Sequence, residues 1–352
     1  MSNVELRNIT KRFKDVTALD DVSFSIQDGE FFVLLGPTGA GKTTTLRVIA
    51  GLERQNAGDV LFDGVNVNAF TPADRDVAFV FQQYSLYPTK TVYDNLAFPL
   101  RSPLRKEPKD HIDKRVREVA EKLHISHLIE RKTAHLSGGE MQRVSIGRAL
   151  VRNPRIFLMD EPLSNLDAKL RETLRVELQH LQKTEGSTTL FVTHDQIEAL
   201  TMADRIAVLD EGHIIQIGTP SDIYDKPAST FVAKLVGIPR INLLEAERQN
   251  GQLHICDSMI TLPIPAGLDV PQEFLLGIRP EDVNITPDGD QQGEIILTEP
   301  LGVETVVHIR SGQQKLLSLV PGITELKIGD TPKFSIVHSR LHFFTLEEGV
   351  RI

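Results

Sequence analysis

Two short segments of this chain combine residue types that bind phosphate groups and act on them. The first reads G-P-T-G-A-G-K-T and fits the pattern G-x-x-x-x-G-K-[ST]. Its glycines permit backbone angles that turn successive N–H groups toward an anion, and a helix beginning here adds positive potential. The lysine can then reach the β- and γ-phosphates, and the threonine hydroxyl can bind Mg²⁺. The residues of this predicted phosphate loop are Gly36, Pro37, Thr38, Gly39, Ala40, Gly41, Lys42 and Thr43.

The second segment places two carboxylates at the end of an apolar run. Residues 156–159 predict a buried strand, and Asp160 and Glu161 follow it directly. In an open α/β sheet, ligands bind at the carboxyl ends of the strands. Asp160 suits Mg²⁺ coordination, directly or through water. Glu161 is the candidate general base or water-orienting group for the attack on a phosphate.

The elements that must position these residues alternate between strands and helices up to about residue 236. Buried strands are predicted at residues 31–35, 76–81 and 156–159, and helices at 43–52 and 112–123. Helix starts are also marked by Thr71-Pro72 and Thr219-Pro220, each with a carboxylate three residues after the threonine. This alternation predicts a mainly parallel sheet covered by helices.

After residue 240 the helical pattern stops. Short runs rich in Ile, Leu, Val and Phe, separated by Gly and Pro, occupy residues 274–278, 294–297, 305–309, 315–320 and 333–337. They predict an all-β module, a small barrel. The predicted domains are therefore residues 1–236, which bind the nucleotide, and residues 237–352.

Composition and charge exclude several classes of protein. The 352 residues carry 39 Lys and Arg against 48 Asp and Glu, a net charge of −9, and this acidic balance argues against a nucleic-acid partner. A single cysteine, Cys256, excludes an internal disulfide and a zinc site built from cysteines. No apolar stretch approaches the length of a membrane-spanning helix, and no secretory signal is expected at the N-terminus.

Residues 136–143 carry the most specific signal. They read L-S-G-G-E-M-Q-R, and the pattern LSGG-x-x-QR is the signature of the ATP-binding subunits of ATP-binding-cassette (ABC) transporters, which this chain resembles over residues 1–240. Further matches are Gln82 of the Q-loop, Asp167 of the D-loop and the switch histidine, His194. Phe13 stands where the family places an aromatic ring against adenine.

The resemblance implies an α/β P-loop ABC ATPase domain with a helical subdomain, and it implies ATP and Mg²⁺ as cofactors. The catalytic residues would be Glu161, His194 and Gln82. The metal would be held by Thr43, Gln82 and Asp160. Nucleotide contacts would come from the phosphate loop together with Phe13, Thr44, Ser137, Gly138, Gly139, Gln142 and Asp167.

The same resemblance implies partners. In this family two subunits form a head-to-tail homodimer, in which the signature of one subunit closes over the ATP of the other, as expected for an isologous interface. The dimer would act on two integral-membrane permease subunits, and indirectly on a periplasmic or extracellular solute-binding protein. It would lie peripherally on the cytoplasmic face of the plasma membrane.

The β-rich tail resembles the OB-like regulatory domain of sugar-type ABC importers, including the maltose and glycerol-phosphate systems. The matching residues are 237–244, 277–281 and 301–305. An ATPase subunit for uptake of a sugar or sugar derivative is therefore the leading interpretation, with the tail serving dimerisation or regulation. An importer for polyamine, sulfate or ferric ion is the alternative, and a non-transport ABC ATPase is a more distant one.

Overall fold

The computed structural model describes residues 1–102, 107–265, 267 and 269–352. They form two compact units, Met1–Pro220 and Ser221–Ile352. The strands of the first unit are β1 (Val4–Phe13), β2 (Val16–Ile26), β3 (Phe31–Leu35), β4 (Ala57–Phe62), β5 (Val65–Asn66), β6 (Ala78–Val80), β7 (Phe157–Asp160), β8 (Thr189–Thr193), β9 (Arg205–Asp210) and β10 (His213–Gly218). Its α-helices are α1 (Lys42–Ala50), α2 (Val92–Ala97), α3 (Lys109–Lys122), α4 (Gly138–Leu150), α5 (Ala168–Glu185) and α6 (Gln196–Met202). Short 3₁₀ turns lie at Ser126–Leu128 and Thr133–His135.

The central sheet of the first unit has the strand order β10–β9–β3–β8–β7–β6. Its strands run parallel except at the β9–β10 hairpin, which is antiparallel. Every residue of β3, β7 and β8 is buried, which explains why these strands read as continuous apolar runs. Because Leu35 pairs with Thr193 and Asp160 with Val192, the carboxyl ends of the three strands lie at one edge.

A second, antiparallel sheet with the order β2–β1–β4–β5 covers the core. Ile9 and Val60 from this sheet join Leu34 and Leu158 of the central sheet in one buried cluster. The rings of Phe24 and Phe32 stack with their centroids 5.2 Å apart. This core fixes β3 and β7, on which the two predicted phosphate-handling segments depend.

Helices α2, α3 and α4 pack against one another beside the sheet. Helix α3 buries Val116 and Val119 on one face, as the sequence periodicity predicts. Gly147 of α4 lies where a Cβ atom would come within 2.9 Å of Leu96 and Leu123, so a side chain there would push these helices apart. This helical layer carries the signature segment at the start of α4.

The second unit consists mainly of short antiparallel strands. They are β11 (Asn242–Gln249), β12 (Gln252–Ile255), β13 (Thr261–Pro263), β14 (Glu273–Ile278), β15 (Val283–Ile285), β16 (Gln291–Gln292), β17 (Glu294–Pro300), β18 (Glu304–Ser311), β19 (Gln314–Pro321), β20 (Lys333–Ile336) and β21 (His342–Phe344). Helices α7 (Pro220–Asp225) and α8 (Thr230–Leu235) precede them, and 3₁₀ turns lie at Pro280–Asp282 and His338–Arg340. The sheet orders are β13–β12–β11–β14–β21, β15–β20–β16 and β17–β18–β19, around a core that includes Phe274, Leu316 and Phe334.

One expectation from the sequence differs from the structure. The helix predicted to start at Thr71 is wrong: the Asp74 amide does bond the Thr71 hydroxyl, at 3.4 Å, but the segment forms turns. The compact units divide at residues 220/221, before the predicted domain boundary at 236/237. The reason is that the α7–α8 segment belongs with the second unit, for example through the Arg279 guanidinium, which donates to the Val236 carbonyl. A boundary at residue 237 stays a prediction about independent folding.

Candidate functional site

The phosphate loop connects the end of β3 to the start of α1, and two of its glycines are required by space. A Cβ atom on Gly36 would lie 2.1 Å from the Leu209 carbonyl oxygen. Gly41 has a φ of +107°, and a Cβ there would lie 2.5 Å from the Ala18 carbonyl oxygen. The backbone can therefore follow this path only if neither Gly36 nor Gly41 is replaced by a residue with a side chain.

Lys42 is buried, and its ammonium group is fully engaged by its own loop and one carboxylate. Nζ donates to the carbonyl oxygens of Gly36 at 2.9 Å and Pro37 at 3.0 Å. It also lies 3.4 Å from Glu161 Oε1. The cation is thus held at the mouth of the loop, where a bound phosphate would compete with these contacts.

Thr43 and Asp160 bring the two predicted segments together. The Thr43 hydroxyl donates to Asp160 Oδ1 at 2.9 Å. Burial raises the pKa of the Asp160 carboxyl, the Thr43 hydrogen bond lowers it in part, and the negative charge of Glu161 raises it further. A hydroxyl and a carboxylate side by side form a hard-oxygen donor pair of the kind that Mg²⁺ prefers, so the residues fit the ion.

Glu161 sits between Lys42 and His194. Its side chain is 17% exposed, and Oε2 lies 3.0 Å from Nδ1 of His194, which is itself 53% exposed. The φ of Glu161 is +43°, a left-handed conformation that costs energy for a residue with a side chain. The strand end therefore turns sharply at this residue and presents its carboxylate to both neighbours.

Gln82 reaches the same place from the segment after β6. Its side-chain amide donates to Ser164 Oγ at 3.3 Å, and the Ser164 hydroxyl donates to the Glu161 carbonyl at 2.9 Å. The Asn165 side chain donates to the Gln82 carbonyl at 2.9 Å. These bonds tie the Q-loop to the loop that follows Glu161.

Asp167 caps helix α5, since its carboxylate accepts from the Leu170 amide at 3.0 Å. The sequence argument missed Arg171, one turn further along the helix. Its guanidinium donates to the Leu166 carbonyl at 3.0 Å and lies 3.7 Å from Asp195, next to His194. The only signal in the sequence for this contact is the position of the arginine, four residues after the aspartate that caps the helix.

The signature segment makes its own N-terminal cap. The Ser137 side chain accepts from the Glu140 amide, and the Ser137 amide donates to Glu140 Oε2 at 2.7 Å, a capping box. Gly139 is packed so closely on Leu170 that a Cβ would lie 2.4 Å from that side chain. No hydrogen bond or ion pair within the described ranges joins this segment to the phosphate loop, Asp160 or Glu161. Within one chain, the two predicted phosphate-binding motifs therefore do not contact each other.

Gln142 and Phe13 occupy opposite environments. Gln142 is fully buried, and both polar atoms of its side chain have no hydrogen-bond partner. In this conformation Gln142 is inaccessible to a nucleotide. Phe13 is 41% exposed at the end of β1, with Lys11 Nζ 4.5 Å from the ring centre, and is free to stack on a flat ligand.

A groove of about 790 Å³ lies elsewhere in the first unit. Its aromatic lining includes Phe79, Phe81, Tyr87 and Phe98, and Arg148 lies over the Tyr87 ring at 5.6 Å. Phe81 immediately precedes Gln82, so the groove adjoins the Q-loop. Sequence reasoning did not find this groove, because its lining comes from segments far apart in the chain.

The fold and this edge of the sheet define a P-loop nucleotide-binding protein whose phosphate loop, acidic strand end and histidine meet at one point. A model of the ABC transporter family matches residues 19–164, and a model of the TOBE domain matches residues 276–344. The chain is 48% identical over 334 residues to the trehalose/maltose import ATP-binding protein of Thermococcus litoralis, with 89% of each chain covered. It is 43% identical to the sn-glycerol-3-phosphate import ATP-binding protein of Psychromonas ingrahamii, covering 100% of this chain and 96% of that one.

A solved dimeric ATP-binding cassette bound to ADP and Pi aligns with a TM-score of 0.55 and 34% identity, over 62% of this chain and 98% of that one. The chain therefore belongs to the ABC transporter family, as one of its ATP-binding subunits. The predicted fold class, a P-loop ABC ATPase followed by a small all-β domain, is confirmed. In the described part of the chain, no helix is both long and apolar enough to span a bilayer.

Proposed function

We propose that this protein is the ATP-hydrolysing subunit of an importer for a sugar or sugar derivative. The observation that carries the proposal is the chain of contacts from Lys42 through Glu161 to His194, with Thr43 bonded to Asp160 beside it. These groups meet at the carboxyl ends of adjacent parallel strands, where α/β proteins bind ligands.

In the proposed reaction, Lys42 exchanges its carbonyl partners for phosphate oxygens. Thr43, Asp160 and Gln82 would hold Mg²⁺, which supplies charge neutralisation on the phosphates. Glu161 accepts the proton of the attacking water, and His194, whose Nδ1 lies 3.0 Å from Glu161 Oε2, would turn to the γ-phosphate.

We further propose that two copies complete each site. Ser137 and the Gly138 and Gly139 amides lie at the N-terminus of α4, a position that favours anions, and among the described residues no hydrogen bond or ion pair joins them to the phosphate loop of the same chain. A head-to-tail dimer would bring this helix N-terminus to the γ-phosphate bound by the other copy, and Asp167 would lie at the dimer interface. The dimeric state of the solved relative supports this arrangement.

The groove beside Gln82 is the proposed contact with the permease subunits. It combines aromatic side chains with the cation of Arg148, a surface suited to an amphipathic segment of a partner. Its position next to the Q-loop would couple partner movement to the site. In this proposal the subunit lies on the cytoplasmic face of the plasma membrane, and a solute-binding protein acts through the permeases.

The cargo assignment draws support from relatives that are named for trehalose/maltose and for glycerol-3-phosphate import. It is tested with the purified membrane complex in vesicles, by measuring ATP hydrolysis with the solute-binding protein and a panel of solutes. We expect hydrolysis to rise with one sugar or sugar phosphate, and a Lys42→Ala complex to stay inactive. Stimulation by polyamine, sulfate or ferric ion would instead assign the alternative cargo, and no stimulation by any solute would contradict an importer.

A further inference from the structure

Arg171 on helix α5 contacts the two chain segments that carry the proposed catalytic groups. The first segment is residues 162–167, which follow Glu161 directly. The second is the segment after β8, which begins with His194 and Asp195. The reaction proposed above gives the Arg171 guanidinium no part.

Three main-chain carbonyl groups of the first segment converge on this guanidinium. Its Nε donates to the Leu163 carbonyl at 3.3 Å. Its Nη2 donates to the carbonyls of Ser164 at 3.4 Å and Leu166 at 3.0 Å. A guanidinium carries five N–H donors in a fixed planar arrangement, which allows one side chain to serve several acceptors. The path of the main chain just after Glu161 is therefore held by Arg171.

Asp195 is the residue of the second segment that Arg171 contacts. One oxygen of its carboxylate, Oδ1, accepts from the amides of Ile197 at 2.8 Å and Glu198 at 3.4 Å and so caps helix α6. The other oxygen, Oδ2, lies 3.7 Å from Nη1 of Arg171. The same guanidinium that holds the first segment is therefore tied to the start of α6, one residue after His194.

The residue before His194 is held as well. The Thr193 hydroxyl accepts from the Asp195 amide at 2.9 Å and donates to the buried Glu198 carboxylate at 2.5 Å. Both chain neighbours of His194 are thus fixed, while its own ring lies 3.0 Å from Glu161 Oε2. The imidazole can turn without displacement of its main chain.

A cavity of about 30 Å³ lies among these groups, and its lining includes Glu161, Arg171 and His194. A space of this size holds about one water molecule. Among the described residues, no hydrogen bond or ion pair joins Arg171 to Glu161 or to His194. The hydrogen bonds of Arg171 therefore act on these two groups through the segments that it holds.

We propose that Arg171 is a positioning residue, which keeps the main chain at His194 in register with the main chain at Glu161. The inference rests on the proposed function, because the effect of Arg171 on hydrolysis would pass through His194. In the described part of the chain, Arg171 makes no hydrogen bond or ion pair with the phosphate loop. Loss of the guanidinium should therefore impair the catalytic step and leave nucleotide binding intact.

The test compares the full chain with an Arg171→Met variant, in which the side chain has a similar length but no donor. We expect kcat for ATP to fall about tenfold to 10²-fold, since a misplacement of about 1 Å can cost 10²-fold. The affinity for Mg-ADP, which lacks the γ-phosphate, should not change. Arg171→Lys keeps a cation opposite Asp195 and should retain more of the rate than Arg171→Met.

Arg175→Met is the matched control. Arg175 lies one turn further along α5, is also half-buried, and makes no hydrogen bond or ion pair in the described ranges. Both the rate and the affinity should match those of the unaltered chain.

Two further measurements separate positioning from a general loss of stability. If Arg171 acts through His194, Arg171→Met should cost little further rate in a chain that already carries His194→Ala. The NMR signal of the His194 Cε1–H group, assigned by its absence in His194→Ala, should shift in Arg171→Met. It should stay in place in Arg175→Met.

The outcomes distinguish this inference from the proposed function. The positioning role would be overturned, with the proposed ATPase left in place, by a normal kcat in Arg171→Met or by an equal proportional loss in both backgrounds. A parallel loss of Mg-ADP affinity or an unmoved His194 signal would overturn it too. Normal hydrolysis by the His194→Ala chain would instead contradict the role of His194 in the proposed function, and the positioning role with it.

Discussion

Replacing Glu161 with Gln is the most informative change to the ATP site. Gln keeps the length and the hydrogen-bonding reach of the side chain but removes its charge and its basicity. The two contacts at stake are Oε1 with Lys42 Nζ at 3.4 Å and Oε2 with His194 Nδ1 at 3.0 Å. The Thr43–Asp160 bond does not involve Glu161, so the proposed metal donors should be preserved.

The expected fall in hydrolysis is about 10²–10⁴-fold, the usual contribution of a general base. That corresponds to about 3–5 kcal/mol of the activation barrier. ATP affinity should not fall and is expected to rise, because Lys42 loses a competing carboxylate. Steady-state hydrolysis and equilibrium binding of a fluorescent ATP analogue measure the two quantities separately.

Glu211→Gln provides a close control. Glu211 follows β9 in the same sheet, has the same φ of +43°, and is exposed, outside the contacts of the site. Hydrolysis by that variant should match the unaltered protein. If Glu161→Gln also hydrolysed ATP at a near-normal rate, the role proposed for this carboxylate would be refuted.

The same variant tests the composite site. With hydrolysis blocked, ATP should hold two chains together, so dilution should dissociate the Glu161→Gln dimer less readily in ATP than in ADP, as followed by sedimentation. Adding Ser137→Arg should abolish the difference while nucleotide binding persists. If the dimer with Ser137→Arg still dissociated less readily in ATP than in ADP, the signature segment would not be part of the dimer interface.

Three further changes test other parts of the chain. Thr43→Val removes the hydroxyl bonded to Asp160 and should lower the apparent Mg²⁺ affinity in hydrolysis assays about tenfold or more; an unchanged Mg²⁺ dependence would exclude Thr43 as a ligand. Gln142→Leu replaces two unpartnered buried polar atoms and should raise the free energy of unfolding in urea by about 1–3 kcal/mol; destabilisation would mean that the amide has partners in solution. Burial raises the pKa of Asp282 from 3.8 to about 6, so the native protein binds this proton more tightly than the unfolded chain, and stability should fall as pH rises from about 4 to above 6. Asp282→Asn should reduce this pH-dependent decrease in the free energy of unfolding by up to about 3 kcal/mol. An equal pH dependence in both proteins would contradict the raised pKa of Asp282.

The sequence predicted the strands of the site well because they are buried on both faces. Residues 31–35 form β3 with the predicted bounds, and Asp160 ends β7 as expected. A continuous apolar run of this kind fits few positions in a fold other than a strand that is buried on both faces. Gly36 and Gly41 of the phosphate loop were equally informative, since nearby backbone carbonyl oxygens leave no room for a side chain at either position.

The remaining features depend on contacts between distant segments, which local pattern does not encode. The Gln82–Ser164 bond joins residues far apart in the chain, and the burial of Gln142 follows from packing of the helical layer. At Thr71 the local signal for a helix start is present and its hydrogen bonds form, but the chain must enter β6 within a few residues. Tertiary geometry overrides the local preference there.

The charged groups of the ATP site pair with groups of the same chain, and these pairings determine what ATP must overcome. Lys42 is held by two carbonyls and Glu161, while Asp160 is held by Thr43. Binding of Mg-ATP is therefore an exchange of partners, and the net gain is smaller than the new phosphate contacts alone would suggest. In the proposed reaction this exchange would also release Glu161 from Lys42, so the carboxylate would become available as the general base once a phosphate has replaced it at the lysine. Under this proposal, occupancy of the phosphate loop would activate the Glu161 carboxylate. The tighter ATP binding expected for Glu161→Gln is the measurable consequence of that link.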